Sequence, residues 1–172
     1  MKVVLIAAIT ADGFIGRTSD HLADWTGGAD KKLFVGVTKE MGTMVMGSRT
    51  FATIGRALPG RKTIVMTTHP EGVTAGGVET SQEAPAELVA RLSKEGANGL
   101  AVCGGASIYG QFMAAGVVDE LYLTVAPKLF GTGVPLSGEE LNCDLSLLDT
   151  KMLDEDTILL HYAVQHQDSK PA

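Results

Sequence analysis

VMGSRTFATIGRALPGR, residues 45–61, places a strand end, a glycine, a helix start and a turn within seventeen residues. Met44, Val45 and Met46 close an apolar run of the kind that forms a buried strand. Gly47 follows, where a chain leaves a strand sharply or a ligand approaches the backbone. Ser48, Arg49 and Thr50 open a short helical pattern whose inner positions are Phe51 and Ile54. Gly55 stops it, and Leu58-Pro59-Gly60 is a turn. A helix start carries free N–H groups and partial positive charge, so a strand, a glycine and a helix with a cation beside it suit a phosphate. Arg61 adds a second cation ahead of the next apolar run, residues 63–66.

Charge supports the same stretch. Residues 31–62 hold seven Lys or Arg and one acid, Glu40, in a chain of net charge -6. A basic segment in an acidic protein fits a small anionic ligand; a solvated basic helix face would give the same count. Nucleic-acid binders are usually basic overall, and this chain is not. The 172 residues, 45% hydrophobic and 20% charged, are ordinary for one globular domain covering 1–172, with a frayed tail at about 167–172. The two cysteines, Cys103 and Cys143, lie far apart and suggest neither a disulfide framework nor a zinc site, so a reducing cytoplasm is the expected setting. No apolar run approaches membrane-spanning length, and residues 3–9 read as a first buried strand rather than a signal core.

Outward from the opening stretch, strands are expected at residues 3–9, 43–46, 63–66, 100–103 and 118–126. A short edge strand is expected at 77–80 and a closing hairpin from 145–152 and 157–165. Helices are expected over 29–41, from Ser81 or Gln82 to about Lys94, and over 108–115. Residues 17–24 form a polar loop long enough to be a lid or binding loop, and 131–138 a turn-rich crossing. The alternation predicts an α/β sheet, mostly parallel, of about eight strands with an antiparallel edge.

The second strand–glycine–helix turn, Gly104-Gly105-Ala106-Ser107, does not fit the Gly-x-Gly-x-x-Gly dinucleotide fingerprint, and no Gly-x-Ser-x-Gly elbow is present. The four histidines, His21, His69, His161 and His166, lack metal spacing, so no metal is expected. Asp30 sits in the first turn of the first helix, where an acid can be a plain dipole partner. It also shares a helical face with Phe34, four residues on, with Leu33 beside them and Trp25 just before. A carboxylate beside an aromatic ring is a poor core but a good receptor for a flat heterocycle with N–H donors.

These pieces resemble the dihydrofolate reductase family. LIAAITADGFIG at 5–16, Trp25-x4-Asp30-x3-Phe34, VMGSRTFATIGRALPGRKTIV at 45–65, CGGASIYGQF at 103–112 and ELYLT at 120–124 follow the family's order. The resemblance implies a three-layer fold and NADPH-dependent reduction of 7,8-dihydrofolate to tetrahydrofolate. Asp30 would hold the pterin and promote its protonation, supported by Trp25 and Thr124. Ile6, Ala8, Lys31, Phe34, Ile54, Leu58, Cys103 and Tyr109 would line the substrate's place, and Arg61 would bind the folate tail carboxylate. Ala8, Ile15 and Gly16 would lie near the nicotinamide. Gly47, Ser48, Arg49, Thr50, Thr67, Thr68, Cys103, Gly104, Gly105, Ala106, Ser107, Ile108 and Tyr109 would hold the rest of NADPH, with the Gly104–Gly105 peptide cis.

The departures are specific. Ser48 stands where such families usually carry a base for the cofactor's 2′-phosphate, which weakens the expected preference for NADPH over NADH. Lys31 replaces an apolar lining residue. The segment VAPKLFGTGVPL at 125–136 is closer to the related pyrimidine reductases of riboflavin synthesis, which reduce a ribosyl-aminopyrimidine phosphate. That reaction is the alternative, and a non-catalytic nucleotide-binding relative is a second one, disfavoured by the presence of both Asp30 and Arg61. The implied partners are small molecules, with no nucleic acid and no membrane, in a monomer or homodimer.

Overall fold

The computed structural model describes residues 1–166, so the tail expected to fray at about 167–172 lies outside the described residues. The elements are β1 (Lys2–Thr10), β2 (Phe14–Gly16), α1 (Gly27–Met41), β3 (Thr43–Gly47), α2 (Ser48–Ile54), β4 (Lys62–Met66), β5 (Val78–Ser81), α3 (Pro85–Lys94), β6 (Gly99–Val102), α4 (Ala106–Ala114), β7 (Glu120–Ala126), β8 (Val134–Pro135), β9 (Asp144–Met152) and β10 (Ile158–Gln165). Eight strands form one sheet in the order β5-β4-β3-β6-β1-β7-β10-β9. The pairs from β5 to β7 are parallel, and β10 runs antiparallel to both β7 and β9. The expected sheet and its antiparallel edge hairpin are therefore present.

Strand alternation builds the two cores. Successive side chains of a strand face opposite sides of the sheet. Val3, Leu5 and Ala7 of β1, with Val45, Ile64, Leu100 and Val102, face Leu88 and Leu92 of α3 and Ile108, Tyr109 and Phe112 of α4. Val4 and Ile6, with Met44, Met46, Val65, Ala101 and Cys103, face Val37 and Met41 of α1 and Phe51 of α2. The near-continuous apolar run of β1 is thus what a strand covered on both faces requires. Gly42 and Gly55, at φ 74° and 72°, end α1 and α2 in the left-handed conformation.

Two sequence expectations shift. α3 starts at Pro85, not at Ser81 or Gln82, because β5 continues through Ser81 and the link that follows is tied down by side chains. The Ser81 hydroxyl donates to Glu83 at 2.8 Å, and the Glu87 carboxylate accepts the Ala84 N–H at 3.1 Å. The loop after Gly13 and the crossing at 131–138 also meet, through the small antiparallel β2–β8 pair. Three- and two-residue strands leave no periodicity to detect.

Candidate functional site

β3 and β6 are neighbours in the sheet, but the helices that follow them leave to opposite faces, α2 toward α1 and α4 toward α3. The crevice beyond the carboxyl ends of such strands is where open α/β sheets bind ligands. Here the Gly47 N–H at the end of β3 donates to the Gly104 carbonyl after β6 at 2.8 Å. Gly104 has φ 107°, a value side chains resist, and the Gly104–Gly105 peptide is cis, as the resemblance implied. A Cβ on Gly47 would lie 3.1 Å from Ile108 Cγ1, and one on Gly105 3.3 Å from Thr50 Oγ1. The glycines therefore form a side-chain-free cradle at the start of α4, whose first turn has no side-chain cap. Free N–H groups and bare backbone at a helix start fit a diphosphate.

The cradle opens into a cavity of about 930 Å³. It brings together most of the residues singled out from sequence: Ile6, Ala8, Ile15, Gly16, Trp25, Asp30, Phe34, Gly47, Ser48, Arg49, Thr50, Thr67, Thr68 and the run from Cys103 to Ser107, with Ile108 and Tyr109. Asp30 is 9% exposed, held by the first turn of α1 between Trp25 and Phe34 in sequence. Thr124 lies beside the cavity wall: it is the register partner of Ala8, and it is wholly buried. Its Oγ1 and the Nε1 of Trp25 are buried without a hydrogen-bond partner among the described residues. Buried polar atoms are nearly always paired, so these two orphans, one on the cavity wall and one beside it, point to a polar ligand.

Besides Thr124, four expected residues do not line this cavity. Lys31 follows Asp30 but faces solvent, because the next residue on a helix points about 100° away. Ile54 and Leu58 pack against the core beneath α1 and α2. Arg61 is half-buried; its Nη1 donates to the Pro59 carbonyl at 2.8 Å, and its Nε is buried without a partner among the described residues. Burial lowers its pKa, and the nearby Cys103 opposes that shift. Burial pushes the Cys103 thiol well above its usual range, with the Arg61 charge pulling the other way. Arg61 thus sits within electrostatic reach of a residue that does line the cavity.

The cavity also takes in residues that sequence reasoning missed. Thr18, Ser19, His21 and Ala23 come from the polar loop, Gln82, Glu83 and Ala84 from the link before α3, and Pro85 from the start of that helix. The loop's length was the only signal for the first group. Phe130 was missed too. Arg17 lies 4.2 Å above its ring, Trp25 packs edge-on at 5.2 Å and His21 is 5.8 Å away. The Asp12 carboxylate accepts the N–H groups of Phe130 and Gly131 at 3.1 and 2.7 Å and the Thr10 hydroxyl at 2.6 Å. The Thr10 hydrogen bond leads in holding its pKa below the usual range. One cavity wall is therefore pinned to the segment after β7.

Comparison with known proteins agrees with this geometry. The sequence pattern described as dihydrofolate reductase matches residues 2–134. Dihydrofolate reductase type 3 of Salmonella typhimurium is 38% identical over 124 residues, 72% of this chain and 71% of that protein. A dihydrofolate reductase of Enterococcus faecalis, solved with NADP(H) and RAB-propyl, superposes with a TM-score of 0.72 at 25% identity, over 96% of this chain and 97% of that one. A pyrimidine reductase-like protein of Corynebacterium diphtheriae superposes with a TM-score of 0.78 at 17% identity, over 96% and 92%, a likeness of fold.

Proposed function

Because the chain belongs to the dihydrofolate reductase family, we propose that it reduces 7,8-dihydrofolate to tetrahydrofolate with NADPH. The observation that carries this reading is Asp30, a buried carboxylate that lines the same cavity as Trp25 and Phe34, where the Trp25 Nε1 is buried without a partner among the described residues. NADPH supplies the hydride. The chain's own residues bind, orient and tune. Gly47 and Gly104 to Tyr109 hold the diphosphate on the bare cradle. Ser48, Arg49, Thr50, Thr67 and Thr68 hold the adenosine end, and Ala8, Ile15, Gly16 and Cys103 border the nicotinamide. Ser48 offers no positive charge, so Arg49 carries the reading of a 2′-phosphate, and preference over NADH is smaller than two cations would give.

At the other end, the Asp30 carboxylate accepts hydrogen bonds from the ring N–H and amino group of the pterin, with Trp25 and Thr124 supporting it. The negative charge favours the protonated, more electrophilic substrate. Ile6, Phe34 and Tyr109 enclose the ring, while Lys31, Ile54, Leu58 and Arg61 border the path of the glutamate tail. The free thiols Cys103 and Cys143 suit a reducing cytoplasm. No described helix is long and apolar enough to cross a membrane.

One observation favours reduction of a ribosyl-aminopyrimidine phosphate as a second reading. The segment at 125–136 that departs from the dihydrofolate reductase pattern is the one whose Phe130 packs on Trp25. The test is to follow NADPH absorbance with each substrate in turn. Turnover of dihydrofolate supports the first reading, turnover of only the aminopyrimidine overturns it in favour of the second, and turnover of neither indicates a binding protein.

A further inference from the structure

The cavity follows the carboxyl ends of the parallel strands, from Ala8 on β1, past Gly47 and Gly104, to Ser81 at the end of β5. Neighbouring strands stand about 5 Å apart, so β5 lies about 10 Å beyond β3. The bare glycine cradle sits where β3 meets β6. A dinucleotide with its diphosphate on the cradle and its nicotinamide toward β1 brings its other base to the end of β5, a distance that an extended nucleoside spans.

That end of the cavity is walled by a strap, residues 82–84, held from both sides. The Ser81 carbonyl accepts the Thr67 N–H at 3.1 Å, and the Ser81 hydroxyl donates to Glu83 at 2.8 Å. The Glu83 carboxylate accepts Arg91 Nε at 2.9 and 3.0 Å. The Ala84 N–H donates to Glu87 at 3.1 Å, and Pro85 is buried at the start of α3. A backbone fixed this firmly presents its uncommitted side chains in a set place. Glu83 is not one of them, because both of its oxygens are taken. Gln82 is exposed on the cavity wall, and its amide makes no hydrogen bond among the described residues. The other carboxamide on that wall, Gln111 of α4, is committed: it donates to the Ser107 hydroxyl at 3.0 Å.

We propose that Gln82 reads the base of the dinucleotide and makes the site selective for a purine with a 6-amino group, an inference that rests on the NADPH reading above. A carboxamide offers a donor and an acceptor side by side. Adenine presents the complement, an acceptor at N7 and an N–H donor on the 6-amino group, and glutamine pairs with both at once. Hypoxanthine has the same shape and the same stacking surface but carries a carbonyl at position 6. The Gln82 carbonyl then meets an acceptor instead of a donor and goes unpaired. Ala84 and Pro85, beside Gln82, have no polar side-chain atom and cover either base alike. Selectivity therefore comes from the hydrogen-bond pattern of one side chain, not from the size of the cavity.

Trp25, the only tryptophan, lines the cavity, so quenching of its fluorescence reports dinucleotide binding with no second substrate present. NADPH and its hypoxanthine analogue are titrated against the wild type, Gln82→Leu and Gln111→Leu. The wild type should bind NADPH about tenfold or more tightly than the analogue. Gln82→Leu should abolish that difference by weakening NADPH alone, with an unchanged Tm. Gln111→Leu should keep it. A residue that only shaped the strap would weaken both dinucleotides together, and that result would overturn the proposal. So would a wild type that binds the two equally, or a difference lost in Gln111→Leu and kept in Gln82→Leu. Equal, tight binding leaves the NADPH reading standing, whereas a wild type that binds neither dinucleotide overturns that reading and this inference with it.

Discussion

The phenol of Tyr109 on α4 donates a 2.7 Å hydrogen bond to the main-chain carbonyl of Ile6 on β1, and both residues line the cavity. Burial pushes the phenol's pKa well above its usual value, and the nearby Cys103 and Asp30 push it further. Tyr109 therefore stays a protonated donor throughout the working range. Tyr109→Phe should keep the fold, cost about 1 kcal/mol in urea unfolding, and slow hydride transfer about tenfold. Single-turnover kinetics would check this. A full-rate Tyr109→Phe enzyme would mean the hydrogen bond serves only packing.

Arg61 offers a sharper test of the substrate. Its buried Nε lacks a partner among the described residues, while Nη1 is tied to Pro59. If the guanidinium clamps the tail carboxylate of dihydrofolate, Arg61→Leu should raise KM for dihydrofolate by about tenfold or more, and hardly at all for a pterin without the glutamate. Equal KM changes for both substrates, with a lowered Tm, would make Arg61 structural or point to a substrate without that carboxylate.

Much of this was legible in the chain because the decisive signals are local. The αL stops at Gly42 and Gly55, the two-faced run of β1 and the glycines at 104 and 105 each follow from a residue and its immediate neighbours. What the sequence did not show depends on distant residues meeting. Phe130 backs the site's wall only because Asp12 and Trp25 reach it across more than a hundred positions. Ser81 or Gln82 looked like a helix start because Pro85 fits a first turn, yet the β5–β4 pairing holds Ser81 in the strand. The resemblance placed Lys31 in the pocket in the position of an apolar residue, whereas the helical turn carries it outward from Asp30 into solvent.

The charge cluster around Arg91 predicts the acid limb of stability. Arg91 pairs with Glu79, Glu83 and Glu95, and Lys62 joins Glu79. The Arg91 hydrogen bonds lead in lowering the pKa of Glu83. For Glu79, burial pushes upward but is outweighed by the hydrogen bonds from Lys62 and Arg91. A lowered folded pKa stabilises above the ordinary carboxylate value of 4.5 and is lost as pH falls through the lowered one. Arg91→Ala should therefore cost about 1 kcal/mol at pH 7, or roughly 2–4 °C in Tm, discounted for solvent screening of these partly exposed groups. The gap to wild type should shrink below the ordinary carboxylate value. Melting curves across pH would check it, and a gap that widened in acid would refute the assignment.

Asp30 carries the most discriminating expectation. It is buried in the first turn of α1, on the cavity wall, and no side-chain hydrogen bond within the protein holds it among the described residues. Asp30→Asn keeps the shape, removes the charge and replaces an acceptor with a donor. Stability should change little, since a first-turn acid contributes only about 0.3–1 kcal/mol through the helix dipole. Turnover of dihydrofolate at pH 7 should fall by about a hundredfold or more, the scale of losing assisted protonation. As pH falls, solvent protonates the substrate directly, so the variant's kcat should climb toward that of the wild type while its KM stays raised. A structural acid would give the opposite pattern, a lowered Tm with near-normal kcat at every pH. The pH profile of kcat for the two proteins, measured beside their melting curves, separates these outcomes, and an Asp30→Asn enzyme as fast as wild type at pH 7 would reduce Asp30 to a helix cap.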